Sequence, residues 1–318
     1  MTALGEVAGW DPSRILSNPA ARTAIRQLGR ALRTSGFVNH PGAAGATSAL
    51  SSLARGEPVE AYEAALHLGG ELSLGALLET GAADCDAENV FTLRFSVLAG
   101  AGAMAILPRP GLLVDGVYAG SDSWLLVQQA WRFGLGGARA LDLGTGTGLA
   151  ASFLSSRYNE VVAADVSAVS AATAALGREL LSEQDRSRLG IVVNDVTSGL
   201  VPRSFDLVVA NTPWVPSLNA DGQTFADGGP TGTELPLRFL REGVTMLAPG
   251  GLLVLLCSDL RESDDSGPLV DALAELEALG LKTSVEVTPR GAVDFEFQDA
   301  PESFEGFGRL DHVTVVVY

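Results

Sequence analysis

The residues best suited to chemistry begin with Asp142-Leu143-Gly144-Thr145-Gly146-Thr147-Gly148, where an apolar run closing on a carboxylate enters a loop with glycine at every second position. Glycine admits positive φ and lets a ligand approach where a Cβ would collide. A helix starting near Leu149 would aim free backbone N–H groups over the turn, a setting for a nucleotide-type ligand. Which ligand is the next question. Read from Gly144, the glycine pattern of dinucleotide-binding loops fails at its sixth position, Leu149. Read from Gly146, Gly-Thr-Gly-Leu-Ala-Ala meets the looser form ending at Ala151. Two features lie outside that fingerprint: Asp142 before the loop, and the later segment Asn211-Thr212-Pro213-Trp214 at the end of the apolar run 205–210.

Asp142-x-Gly144-x-Gly146-x-Gly148 resembles the first motif of class I S-adenosylmethionine (SAM)-dependent methyltransferases. The resemblance implies that Gly144, Thr145, Gly146 and Gly148 line the cofactor. It implies that Asp165, followed by Val166, accepts two charge-assisted hydrogen bonds from a ribose diol, and that Asn194-Asp195-Val196 contacts adenine. Asp142 either holds the loop or reaches the methionine amino group through water. The stretch 205–216, Phe-Asp-Leu-Val-Val-Ala-Asn-Thr-Pro-Trp-Val-Pro, is similar to the FD-x-x-x-x-N-P-P-Y strand end of the release-factor glutamine methyltransferases, in the methyltransferase small domain family. Adenine N6 methyltransferases share the four-residue motif. The likeness continues through Asp227-Gly228-Gly229 and Ala248-Pro249-Gly250-Gly251 and spans about 116–317.

What the resemblance implies is methyl transfer from SAM to a planar nitrogen, leaving S-adenosylhomocysteine. Such a nitrogen has a delocalised lone pair and is a poor nucleophile. The Asn211 side-chain oxygen, which would also border the cofactor, and the Thr212 carbonyl can accept its two N–H bonds and stabilise the charge that develops. Pro213 biases Thr212 toward extended backbone. Trp214 offers a stacking face, with a cation–π contact for a charged acceptor. Tyr118, Asp122, Trp124, Phe225 and Asp227 are candidate substrate contacts by their place in the chain. The family has proline where Thr212 stands and tyrosine where Trp214 stands. The acceptor is therefore a glutamine-type amide in a protein, or an amide, guanidine or amine of an amino-acid-like metabolite. Adenine N6 methylation, small-molecule O-methylation and a SAM-binding regulator are the alternatives. His40, His67 and His312 lie far from the motifs, which weakens a mechanism built on a histidine base.

The elements that must position these residues alternate between strand and helix. Strands are predicted over 140–143, 161–165, 191–194, 205–210, 252–257, 283–287 and 312–318. Helices are predicted over 122–133, 149–158, 168–181, 234–247 and 268–279. That order means an α/β, Rossmann-like parallel sheet with helices on both faces. Ahead of it, Asn18-Pro19 opens a helix to about Thr34 with Arg22, Arg26, Arg30 and Arg33 on one stripe. Helices over 47–55 and 58–68 follow, then a short one capped by Ser73, and a hairpin over 90–107. The expected division is 1–112, a mainly helical, winged-helix-like accessory domain suited to dimerising or covering the site, and 113–318, the methyltransferase domain.

Composition limits the rest. The chain has 318 residues and a net charge of −17, from 38 acids and 21 bases. Of these, 27 acids and 13 bases follow Asp115. Such a surface repels phosphate backbones, which argues against nucleic acid. With the Thr212 and Trp214 departures it inclines the acceptor toward a small molecule, neutral or cationic, a peptide being the other candidate. Two cysteines cannot build a disulfide framework or a thiolate metal cluster, and no metal is expected. No apolar stretch reaches the ~20 residues of a membrane span, and the N-terminus lacks a signal-peptide pattern, so the expected setting is cytoplasmic. Alanine and glycine richness, with one lysine, is the habit of high-GC bacterial genomes.

Overall fold

The computed structural model describes residues 10–39, 48–109, 117–134, 136–217, 223–261, 266–289 and 309–318. The first part builds from α1 (Pro12–Ser17), α2 (Pro19–Ser35), α3 (Ala49–Ala54), β1 (Val59–Glu60), α4 (Ala61–Leu68), α5 (Glu71–Glu79), β2 (Ala83–Cys85), β3 (Val90–Leu93), β4 (Phe95–Gly100) and β5 (Ala103–Pro108). α2 forms where the sequence signals it. The Asn18 side chain accepts from the Ala20 and Ala21 N–H groups, and Pro19 takes the first position. Gly36, at φ 66°, closes the helix.

Three details differ from the sequence reading, the first being that the expected hairpin over 90–107 is divided, β3 joining β1 and β2 in one sheet and β4 pairing with β5 in another. Val59–Glu60 pairs as a strand with Val90–Phe91 before α4 begins. Ser73 lies inside α5, whose N-cap is Gly70 at φ 99°, a backbone that glycine takes freely. The expected boundary at 112 falls outside the described residues.

The second part comprises α6 (Ser121–Phe133), β6 (Gly137–Leu143), α7 (Leu149–Ser155), β7 (Tyr158–Asp165), α8 (Ala168–Arg178), α9 (Glu183–Arg188), β8 (Leu189–Val193), β9 (Phe205–Asn211), α10 (Glu234–Met246), β10 (Leu247–Arg261), α11 (Pro268–Ala278), β11 (Thr283–Val287) and β12 (Arg309–Val317). The sheet order is β11-β12-β10-β9-β6-β7-β8. All pairings among β8, β7, β6, β9 and β10 are parallel, while β12 runs antiparallel between β10 and β11. The sheet is thus mostly parallel, with one reversed strand that the alternation of elements did not show. α9 was also missed. It buries no residue, so it carries no apolar periodicity, and its sign is only the Ser182 cap on Asp185 N–H.

Side chains alternate across the sheet. Leu207 and Val209 of β9, with Val254 and Leu256 of β10, face the core shared with Leu126, Val127 and Ala130 of α6. Val208, Ala210, Leu253, Leu255 and Cys257 face the other way, among residues of α10 and α11. That first core continues without a break into the N-terminal helices and the β4–β5 hairpin, from Trp10 through Phe95 and Ile106 to Phe153. Among the described residues no helix is long and apolar enough to cross a membrane.

Candidate functional site

The glycine loop leaves the C-terminal end of β6, where open α/β sheets hold their ligands. Gly144 and Thr145 N–H both donate to the Ala164 carbonyl, at 2.8 and 3.0 Å. Gly144, Gly146 and Gly148 have φ of 67°, 55° and 79°. At Gly148 a Cβ would lie 2.9 Å from the Ala174 Cβ, and at Gly146 it would lie 3.3 Å from the Tyr118 carbonyl oxygen. The loop is therefore threaded between α8 on one side and the approach to α6 on the other.

Asp142 ties this loop down. One carboxylate oxygen accepts from the Thr145 hydroxyl at 2.6 Å and from Ala151 N–H at 3.0 Å, joining strand end, loop and the first turn of α7. Burial pushes its pKa up to about 7 against the pull of those bonds. Asp165, buried at the end of β7, accepts from Gly146 N–H at 2.8 Å and Ser167 N–H at 2.9 Å, one on each oxygen. Burial raises its pKa as well. Val166 beside it is 68% exposed, an apolar side chain standing over the strand end.

The side chains of the next segment have partners within the protein. Asn194 N–H donates to the Asp165 carbonyl at 2.8 Å. The Asn194 amide donates to the Val196 carbonyl and accepts from Gly199 N–H, both at 3.0 Å. Asp195 pairs with Arg238 of α10 at 2.8 Å, which holds its carboxyl below the usual range. Asn194 closes its own loop while Asp195 ties that loop to α10, and Val196 at φ 45° marks the bend. Residue spacing alone does not show such commitments.

Asn211 ends β9 on the α6 side. Its amide nitrogen donates to the Asp122 carboxylate at 2.9 Å, and its amide oxygen is buried with no hydrogen bond among the described residues. A carboxylate only accepts, so Asp122 fixes which end of the amide points away from it. Thr212 is buried, and both its N–H and its hydroxyl donate to the Leu256 carbonyl, at 3.1 and 2.9 Å. Pro213 and Trp214 follow, half-buried.

The described residues on either side of 218–222 are tied to each other. Val215 N–H donates to the Ala226 carbonyl and Gly228 N–H to the Val215 carbonyl, both at 2.8 Å. Asp227 accepts from the Ser217 hydroxyl at 2.7 Å and Gly229 N–H at 2.9 Å, so its work is in the loop. Phe225 stacks on Tyr118 at 5.0 Å with the rings 2° from parallel. Tyr118 and Asn211 lie against the glycine loop and bring Phe225 and Asp122 with them, whereas Trp124 packs against the α6-side core.

One residue that the sequence reading set aside belongs here. Antiparallel β12 carries His312 to the Trp214 ring, 6.0 Å away and edge-on. Its Nδ1 meets the Thr288 hydroxyl at 2.9 Å, and burial pushes its pKa down to about 4. Its signal was a polar residue inside an apolar closing strand.

The glycine loop, the acid at the end of the next strand and the Asn-x-Pro-aromatic exit of β9 define the class. The profile of the methyltransferase small domain matches residues 121–279, half of the chain, and the chain belongs to that family of class I SAM-dependent methyltransferases. Similar relatives include the ribosomal protein uL3 glutamine methyltransferases of Xylella fastidiosa and Xanthomonas campestris pv. campestris. They are 30% and 29% identical over 161 residues, covering 48% of this chain and 49% of each relative. The chain thus spans about half the length of the relatives it matches. Among solved structures, the Mtq2–Trm112 complex of E. cuniculi, described as methylating the termination factor eRF1, is 24% identical and covers 64% of this chain and 97% of its own, with a TM-score of 0.41. Trm5b of Pyrococcus abyssi is 13% identical over 76% of this chain and 66% of its own, with a TM-score of 0.47.

Proposed function

We propose that this chain transfers a methyl group from SAM to the side-chain amide nitrogen of a glutamine in a protein. The observation that carries the reading is the buried Asn211 oxygen, which has no hydrogen bond among the described residues and is fixed in direction by Asp122. Leaving a buried acceptor unpaired costs roughly 1–3 kcal/mol, so a donor from outside is its natural partner. The glutamine relatives favour a protein amide over the small cationic acceptor to which the acidic composition inclines.

The residues present fit SAM. The positive-φ glycines bring a bare loop backbone, packed against Phe239, Tyr118 and Ala174, to the end of β6, with Asp165 and Val166 beside it for a ribose and an adenine face. SAM supplies a methyl group activated by its sulfonium. Asn211 Oδ1 and the Thr212 carbonyl accept the two amide N–H bonds and turn the nitrogen lone pair toward the methyl. They would stabilise the positive charge that develops on nitrogen as the N–C bond forms and the sulfonium S–C bond breaks, the neutral thioether S-adenosylhomocysteine being the leaving group and the surplus N–H proton passing to solvent. Trp214 backs the amide plane.

The test is purified ribosomal protein uL3 with labelled SAM, the methyl group located by mass spectrometry. Methylated glutamine is the expected result, and label on adenine of added RNA would replace the reading. Asn211→Ala should lose roughly 2–4 kcal/mol of transition-state stabilisation with SAM affinity nearly unchanged. Undiminished turnover in that variant would remove Asn211 from the mechanism.

A further inference from the structure

Two more polar side chains occupy the sheet face that carries Asn211. In the β9–β10 ladder Asn211 pairs with Leu256, so Ser258 is the next residue of β10 on that face. On the other side of β10, the antiparallel register sets His312 directly opposite Ser258. Directly opposed residues point to the same face with Cβ atoms about 4.5–5.5 Å apart. Ser258 is only 3% exposed, and its hydroxyl makes no hydrogen bond among the described residues. A buried hydroxyl left unpaired is destabilising, where alanine would cost nothing of the kind. Asn211 Oδ1 is unpaired too. An acceptor and a hydroxyl, both desolvated and both without partners on one face, describe the outline of an absent group that donates and accepts.

We propose that Ser258 and His312 complete the acceptor pocket, Ser258 by donating its hydroxyl hydrogen to the carbonyl oxygen of the acceptor amide and His312 by holding the Trp214 ring in place. This rests on the reading of Asn211 given above. A primary amide has two N–H donors and one carbonyl acceptor. Asn211 Oδ1 and the Thr212 carbonyl take the donors, and Ser258 answers the acceptor. A glutamate side chain would set its oxygens against those two acceptors, so the pocket separates glutamine from glutamate by hydrogen-bond polarity. His312 acts through Trp214: its ring meets the indole edge-on and is itself anchored by Thr288. It comes from β12, beyond the 121–279 segment that the family profile matches.

The experiment measures amide binding rather than turnover. The full chain, saturated with S-adenosylhomocysteine, is titrated with N-acetylglutamine N-methylamide and with its glutamate counterpart, followed by saturation-transfer NMR. The wild-type chain should bind the glutamine probe in preference to the glutamate one. Ser258→Ala should weaken the glutamine probe by about five- to ten-fold, the worth of one hydrogen bond. Ser258→Thr, which keeps the hydroxyl, should restore most of it, and S-adenosylhomocysteine affinity should stay level as a check on the fold. His312→Ala should weaken the probe while His312→Phe, which keeps a ring against Trp214, should recover it. If Ser258→Ala binds like the wild type while Asn211→Ala loses binding, the Ser258 assignment is wrong and the Asn211 reading stands. If His312→Phe fails to recover what His312→Ala loses, the ring contact is not its role. If the wild type does not bind the glutamine probe, or Asn211→Ala leaves binding intact, the Asn211 reading falls and takes this one with it.

Discussion

Asp122 gives Asn211 a direction. An asparagine amide in isolation presents oxygen and nitrogen almost interchangeably, and only the oxygen can receive a substrate N–H. The Asp122 carboxylate, itself held by Ser123 N–H at 2.8 Å, leaves the amide one satisfactory orientation. Asp122→Asn keeps the size but lets the partner donate, so the Asn211 amide can turn over. Turnover should fall by about ten-fold or more, the scale of one charge-assisted bond, with the melting temperature little changed. Equal turnover would show that the amide needs no such guide. His312 makes a second prediction at this scale. Its pKa is near 4 in the folded chain against 6.5 ordinarily, so between those values the unfolded chain takes a proton that the folded chain refuses. Stability is complete above pH 6.5 and falls as pH drops toward 4, by up to roughly 3 kcal/mol. Thermal melts of wild type and His312→Gln across pH 4–8 should show the gap between them shifting over that window. A constant gap would place the histidine in water.

At the scale of elements, the glycine loop ties local conformation to ligand binding. Gly148 opens α7 at φ 79° with the Ala174 methyl where its own Cβ would go. Alanine there faces a left-handed backbone that costs roughly 1–2 kcal/mol and a clash besides. Gly148→Ala should lower the melting temperature and weaken SAM by calorimetry, and unaltered SAM affinity would mean the loop is not the cradle. The alternating glycines after a buried acid were legible without a structure, because the signal is local. So was α2, written in Asn18, Pro19 and Gly36. The β9 exit was legible too, as an apolar run broken by Asn-Thr-Pro-Trp. What stayed hidden depends on distant partners. Nothing near Asp195 announces Arg238, nothing in Asn194 says its amide folds back on Gly199, and no residue of β12 states that it runs antiparallel beside β10. His312 looked remote for that reason, although the reversed strand returns it to Trp214.

On the whole-molecule scale, the two parts share one core, and their seam is as close as a packed interior. The Trp10 indole donates to the Thr173 hydroxyl at 3.2 Å, and Met104 N–H donates to the Ser152 hydroxyl at 2.9 Å. Arg26 pairs with Glu179, and Arg33 donates to the Leu180 carbonyl, so the arginine stripe of α2 is partly spent inside the protein. The tightest point is Gly29, midway along α2, where a Cβ would sit 2.2 Å from the Leu180 carbonyl oxygen. Two effects compete in Gly29→Ala. Helix propensity favours alanine by about 0.5–1 kcal/mol, while overpacking against backbone costs typically 1–3 kcal/mol. Backbone cannot swing aside as a side chain can, so the clash wins and the variant should be less stable. Because α2 lies against the segment that follows α8, the loss belongs to both parts. Calorimetry should show one transition moving down as a unit, its calorimetric and van't Hoff enthalpies equal. If instead an early transition separated and left SAM binding and the main melt untouched, the N-terminal part would be an independent attachment, and the methyltransferase fold would stand without it.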